Sequence, residues 1–179
     1  KNEKVIFFSI HQANWEILVP IINKLGFNVG AIYRHINNPY INNSILNIRK
    51  KTLKNKLSFF TPKGKESARE VINAIKKNNS LVLLVDQKDN AGVNVNFFNI
   101  KVKTQVGFLK IAKKHKIRLI PVQIVRKNNN NFLISFNKPI NLFKNKISET
   151  AAMQSINNII EKWIKSNPSQ WLWQHNRFN

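Results

Sequence analysis

The sequence predicts a mixed α/β fold: one domain with a mostly parallel central sheet, flanking helices and an antiparallel hairpin near the C-terminus. Three observations predict it. Short apolar runs alternate with segments of helical periodicity, as in βαβ units. The chain has 179 residues, enough for one domain with a core. No internal repeat or linker interrupts the pattern, so the domain is taken as residues 1–179.

The elements follow in order. "KVIFFSI" (Lys4 to Ile10) is short, apolar and bounded, a buried strand. Trp15 to Leu25 carries apolar residues at helical spacing, and Gly26 is a natural stop. Asn14 is a candidate N-cap. "NVGAIYR" is a second strand, followed by a helix from about Pro39 to Asn55 with proline in its first turn. "LSFFT" is a third strand. The next helix runs from about Lys65 to Lys77, with Ala68, Val71, Ile72 and Ile75 on one face.

"SLVLLVD" is the clearest strand and ends in Asp86. "TQVGFLKIAKKHK" is a helix, and "IRLIPVQIV" the strand after it. The run Asn128 to Asn131 is a hairpin loop into "NFLISFN". A last helix spans about Ser148 to Ser166.

Charge is the outlier. Thirty Lys and Arg oppose eight Asp and Glu, for a formal net charge of +22. Such a surface attracts phosphates, anionic headgroups or acidic proteins. Only six of the thirty are Arg, and Asn is abundant, so an AT-rich coding sequence is a second source of the lysines. There is no cysteine, which excludes disulfides and thiolate metal sites. No apolar window reaches the roughly 18–20 residues of a membrane span, and no signal peptide is visible. The chain enters a core-like strand after "KNEK", so an N-terminal segment is expected to be missing.

"SIHQANWE" is the candidate reactive stretch. Residues five apart on one helix point about 140° apart. His11 and Glu16 straddle a strand–turn–helix boundary instead, where their side chains can meet. The C-terminal edge of a parallel strand is where α/β proteins place their sites. A glutamate in a first helical turn is favoured as the anion and can stabilise an imidazolium. The imidazole is then a general base for a substrate hydroxyl. The pattern alone is also satisfied by a polar strand-end histidine and a dipole-matched glutamate.

The order of the later motifs narrows the choice. "HQANWE" resembles the H-x4-D/E block of glycerolipid and lipid A acyltransferases. "IYRHINNPYIN", "NIRKK", "PKGKESARE", "LVLLVDQKDNAGVNVNFFN" and "KWIKSNPSQWLWQHNRF" follow in the order of the lipid A lauroyl/myristoyl acyltransferases. The likeness spans almost the whole chain and is nearest to alphaproteobacterial-type members.

The resemblance implies transfer of a fatty acyl chain from acyl carrier protein to a hydroxyl of a lipid A precursor, at the cytoplasmic face of the inner membrane. His11 would be the general base and Glu16 its orienting partner. Arg34, Arg49, Asp86, Gln87, Thr104 and Arg177 would bind substrate, with Arg49 on an anion and Asp86 shaping the site. No cofactor and no metal are expected. Three departures stand out. Ile10 and Ala13 occupy positions where the family has glycine, and so does Asn99 after the Phe97-Phe98 pair.

Two other functions compete. One is a related acyltransferase with a glycerophosphate-type acceptor. The other is a nucleic-acid-binding protein, suggested by charge alone. Against the second, the basic residues are spread through every segment without a recognition motif, so no nucleic-acid partner is expected. Trp163, Trp171 and Trp173 suit either C-terminal packing or a membrane interface. His175 ends the same block.

Overall fold

The apolar runs become strands and the periodic segments become helices, as the alternation predicts. The computed structural model describes residues 3–33, 36–54, 59–62, 65–128, 130–142, 147–174 and 176–178. It has eight strands and five α-helices among those residues and divides into two compact units.

The first unit holds Lys1–Phe7 and Glu16–Leu83. Strand β1 (Val5–Ser9) begins in it. Helix α1 (Leu18–Lys24) follows a 3-10 turn, Trp15–Ile17. Gly26 ends this segment at φ +95°, a conformation open to glycine. Strand β2 (Val29–Tyr33) lies parallel to β3 (Phe59–Pro62) on one side and to β4 (Ser80–Leu84) on the other. Helix α2 (Pro39–Lys51) starts at Asn38, whose Oδ1 accepts from the N–H groups of Tyr40 and Ile41. It ends before the expected Asn55.

Helix α3 (Lys65–Lys76) buries Val71, Ala74 and Ile75, whereas Ala68 and Ile72 are exposed. The expected apolar face is thus shifted around the helix. The core also takes Ile6, Phe7, Leu18, Ile22, Val29 and Leu81, with the Phe7 and Phe27 rings edge to face at 5.2 Å.

The second unit holds Phe8–Trp15 and Leu84–Asn179. Strands β5 (Lys88–Phe97) and β6 (Ile100–Thr104) form an antiparallel hairpin absent from the sequence reading. Helix α4 (Gly107–Lys114) consequently begins after Thr104, which ends β6. Strands β7 (Arg118–Arg126) and β8 (Phe132–Phe136) form the expected C-terminal hairpin.

Helix α5 (Glu149–Ser166) is capped by Ser148 Oγ, which accepts from Ala151 N–H. Its buried stripe is Met153, Ile156, Ile160, Trp163 and Ile164. Gln154 exchanges hydrogen bonds with the backbone of Asn96, and Glu161 Oε1 accepts from Phe98 N–H at 2.9 Å. Each buried apolar side chain contributes about 1.5–3 kcal/mol, and each such hydrogen bond about 1 kcal/mol. Apolar burial therefore anchors α5, while the polar contacts fix where the β5–β6 hairpin meets it.

The hairpin turns on Phe98 and Asn99, at φ +51° and +63°. Two left-handed residues define a type I′ turn, whose twist matches the strands. Asn99 tolerates this, which accounts for asparagine in place of glycine. Asn99→Gly should leave stability unchanged or slightly raised. Asn99→Val should lose about 1–2 kcal/mol, the left-handed cost for a side chain with Cβ. Urea unfolding of both variants checks the pair, and equal midpoints would contradict the turn assignment.

Candidate functional site

Strand β1 delivers His11 to the second unit's polar site. Ile10 is fully buried, so its side chain belongs to the core. The chain then turns sharply: Gln12 N–H donates to Ile10 O at 2.8 Å, and Ala13 sits at φ +50°. Glycine would adopt that conformation without strain; alanine costs roughly 1–2 kcal/mol there.

The C-terminal block holds this turn in place. Gln12 and Trp171 form an antiparallel bridge. Ala13 N–H donates to Gln170 O, and Leu172 N–H to His11 O, both at 2.8 Å. Asn14, expected as a helix N-cap, instead accepts from Arg126 Nη2, and the residue preceding α1 has no side-chain cap.

Asp86 is the carboxylate placed against His11. It leaves β4 and is only 4% exposed. Its Oδ1 lies 2.8 Å from His11 Nδ1. Its Oδ2 accepts from His11 backbone N–H at 3.0 Å and from Trp171 Nε1 at 2.9 Å. Burial by itself raises the carboxyl pKa. The His11 ring, its charge, the Trp171 indole and the His11 backbone N–H outweigh burial and hold Asp86 below its ordinary value.

An ionised carboxylate only accepts, so Nδ1 carries a proton; in the neutral ring the lone pair is then on Nε2. The Gln87 amide nitrogen lies 3.5 Å from Nε2, at the limit of a hydrogen bond. The Trp15 ring meets the imidazole edge-on at 5.1 Å.

Glu16, expected to orient His11, lies in the other unit with Arg49 as its partner, Oε1 to Nη2 at 2.7 Å. The Arg49 guanidinium also sits over the Tyr33 ring at 5.8 Å. The orienting position on Nδ1 is held by Asp86. Thr104 and Arg177, expected to bind substrate, are both buried. Arg177 Nη2 donates to Thr104 Oγ1, and Nη1 to Lys103 O at 3.0 Å, tying the C-terminus to β6. Desolvation lowers the Arg177 pKa, and the nearby Asp86 charge works against it. Arg34 and His175 lie outside the described residues.

Two site residues escaped the sequence reading: Trp171, as a donor to Asp86, and Gln12, fully buried in the turn. The "QWLWQHNRF" block was the signal for the first. Trp163 is buried against Phe8, whereas Trp173 is exposed. Among the described residues, no group of three or more His, Asp or Glu could hold a metal ion.

The model of the bacterial lipid A biosynthesis acyltransferase family matches residues 1–179. The chain belongs to that family and is an acyltransferase. No curated protein matches the sequence.

The Asp86 contacts set a pH dependence. A carboxyl with a lowered folded pKa contributes its stability in full above the ordinary value near 3.8. That contribution is lost as pH falls through the folded value. Asp86→Asn should be less stable at neutral pH and lose less on acidification below pH 3.8. Urea unfolding across acid pH measures both slopes, and parallel curves would count against the assignment.

Proposed function

We propose, from the family and from the imidazole held by Asp86, that His11 is the general base of an acyl transfer to a lipid A precursor hydroxyl. The observation that carries the reading is the 2.8 Å contact of Asp86 Oδ1 with Nδ1, which directs the basic lone pair to Nε2. The acceptor hydroxyl gives its proton to Nε2 as its oxygen attacks the acyl carbonyl. The donor is taken to be an acyl thioester of acyl carrier protein. The tetrahedral intermediate expels the thiolate, which takes the proton back from His11. Asp86 stabilises the imidazolium between these steps without taking the proton. Gln87, beside Nε2, orients the hydroxyl.

Glu16 and Arg49 act as one unit in this proposal. Glu16 fixes a guanidinium that receives an anionic group of the substrate. The pair is partly exposed, so its effect on stability is small, about 0–1 kcal/mol.

A membrane surface is the proposed setting, at the cytoplasmic face of the bacterial inner membrane. Helix α2 supports it. Tyr40 is 83% exposed, with Ile41 and Ile48 also exposed, and the helix ends in Arg49, Lys50 and Lys51 without one acidic residue. Apolar side chains beside a basic cluster suit an anionic bilayer. Among the described residues no helix is long and apolar enough to cross a membrane.

Expression in a strain lacking its own late acyltransferase tests the function. Lipid A should gain the mass of one acyl chain. Unchanged lipid A with altered phospholipid chains would transfer the reading to a glycerophosphate-type acceptor. His11→Ala should abolish transfer in a folded protein, and full activity would remove the mechanism. Glu16→Ala and Arg49→Ala should each raise KM more than they lower kcat. The double variant should be no worse than the weaker single one; additive losses would separate the two residues.

A further inference from the structure

The β5–β6 hairpin carries a polar face that the proposed reaction does not use. A cleft of about 350 Å3 opens there, lined by Lys88, Asn94, Lys101, Lys103, Arg177 and Phe178 among others. Strand alternation makes it polar. Asn94 pairs with Lys103 and Asn96 with Lys101, while Val95, Phe97 and Val102 are buried. The lining carries four cationic side chains and no carboxylate. Lys103 Nζ donates to Asn90 O at 3.2 Å, its described contact.

Arg177 distinguishes this cleft from a patch of surface lysines. It is 1% exposed, and two of its nitrogens are used on Lys103 O and Thr104 Oγ1. Its guanidinium sits over the Phe97 ring at 4.9 Å. Its Nε–H has no acceptor among the described residues. Arg177 thus brings a buried, charged and unpaired donor to a cleft lined by three lysines.

The geometry points to a phosphate-binding subsite in this cleft. A carboxylate offers two oxygens in one plane. A phosphate offers a tetrahedral set, which suits lysines from two strands together with a guanidinium donor. The ligand class is a phosphate mono- or diester, either on a lipid headgroup or on a soluble molecule. The cleft does not include His11, and its binding of phosphate stands independently of the acyl transfer proposed there.

Titration of the whole chain with inorganic phosphate, followed by NMR, tests it. The Arg177 Nε–H signal should shift and saturate. Lys101→Gln with Lys103→Gln should weaken the affinity about tenfold or more. Both lysines are exposed, so the variant should keep the native spectrum. Lys76→Gln with Lys77→Gln, exposed on and just after α3, controls for bulk charge and should leave the affinity unchanged.

Flotation with phosphatidylcholine vesicles, with and without phosphatidic acid, separates the sources. Vesicle binding that the Lys101/Lys103 variant loses supports the site and assigns a lipid phosphate. Loss of phosphate binding alone supports the site and assigns a soluble ester. An unmoved Arg177 signal, or equal losses in both lysine variants, overturns the proposal.

Discussion

The Asp86 carboxylate is the constraint on which the second unit's site depends. It accepts three donors from two distant segments: His11 backbone N–H, His11 Nδ1 and Trp171 Nε1. A buried anion is costly unless it is paired and hydrogen-bonded. Here the compensation comes from the groups that hold the proposed general base. The backbone contact fixes where the chain leaves β1, the ring contact fixes the tautomer, and the indole brings in the C-terminal block.

That arrangement explains a strained turn. For His11 to reach Asp86 while Gln12 bridges Trp171, the chain must reverse at Ala13 with φ +50°. Contacts at Gln170 and Leu172 hold the turn from the other side. Alanine in a glycine-favouring conformation persists because the surrounding hydrogen bonds determine the backbone there. Ala13 and Ile10 therefore differ in kind. The first carries local strain, while the second is absorbed into the core and leaves the polar site untouched.

The fold was legible where one physical signal dominated. "SLVLLVD" and "IRLIPVQIV" are runs that only buried strands explain. The β5–β6 hairpin was missed although Val93, Val95 and Phe97 alternate with asparagines. Its turn is Phe-Asn, without the glycine that marks a two-residue hairpin. In α3, periodicity found the helix but not its buried stripe, because Ile72 and Ala74 compete for the core-facing position. At the site, His11 and Asp86 were both legible as strand-end residues, but their pairing was not. Local spacing favoured Glu16, five residues away, whereas the fold supplies a carboxylate 75 residues along the chain.

The scarcity of acids gives the excess charge its physical meaning. Asp86 is committed to His11, Glu16 to Arg49, and Glu161 to Phe98 N–H. Glu149 sits in the first turn of α5 near Lys110, and Asp89 accepts from Ala91 N–H in the β5 bulge. Five of the eight carboxylates thus hold particular local structures, which leaves few to offset thirty cationic side chains. Whatever enriched lysine in the sequence, the folded chain stays basic because thirty cationic side chains face eight carboxylates. Any anionic partner would meet that field before a specific contact forms. The field raises encounter rates without choosing the substrate. Where a cation is fixed in direction, as Arg49 is by Glu16 and Arg177 is by Thr104, the diffuse field becomes a directed donor.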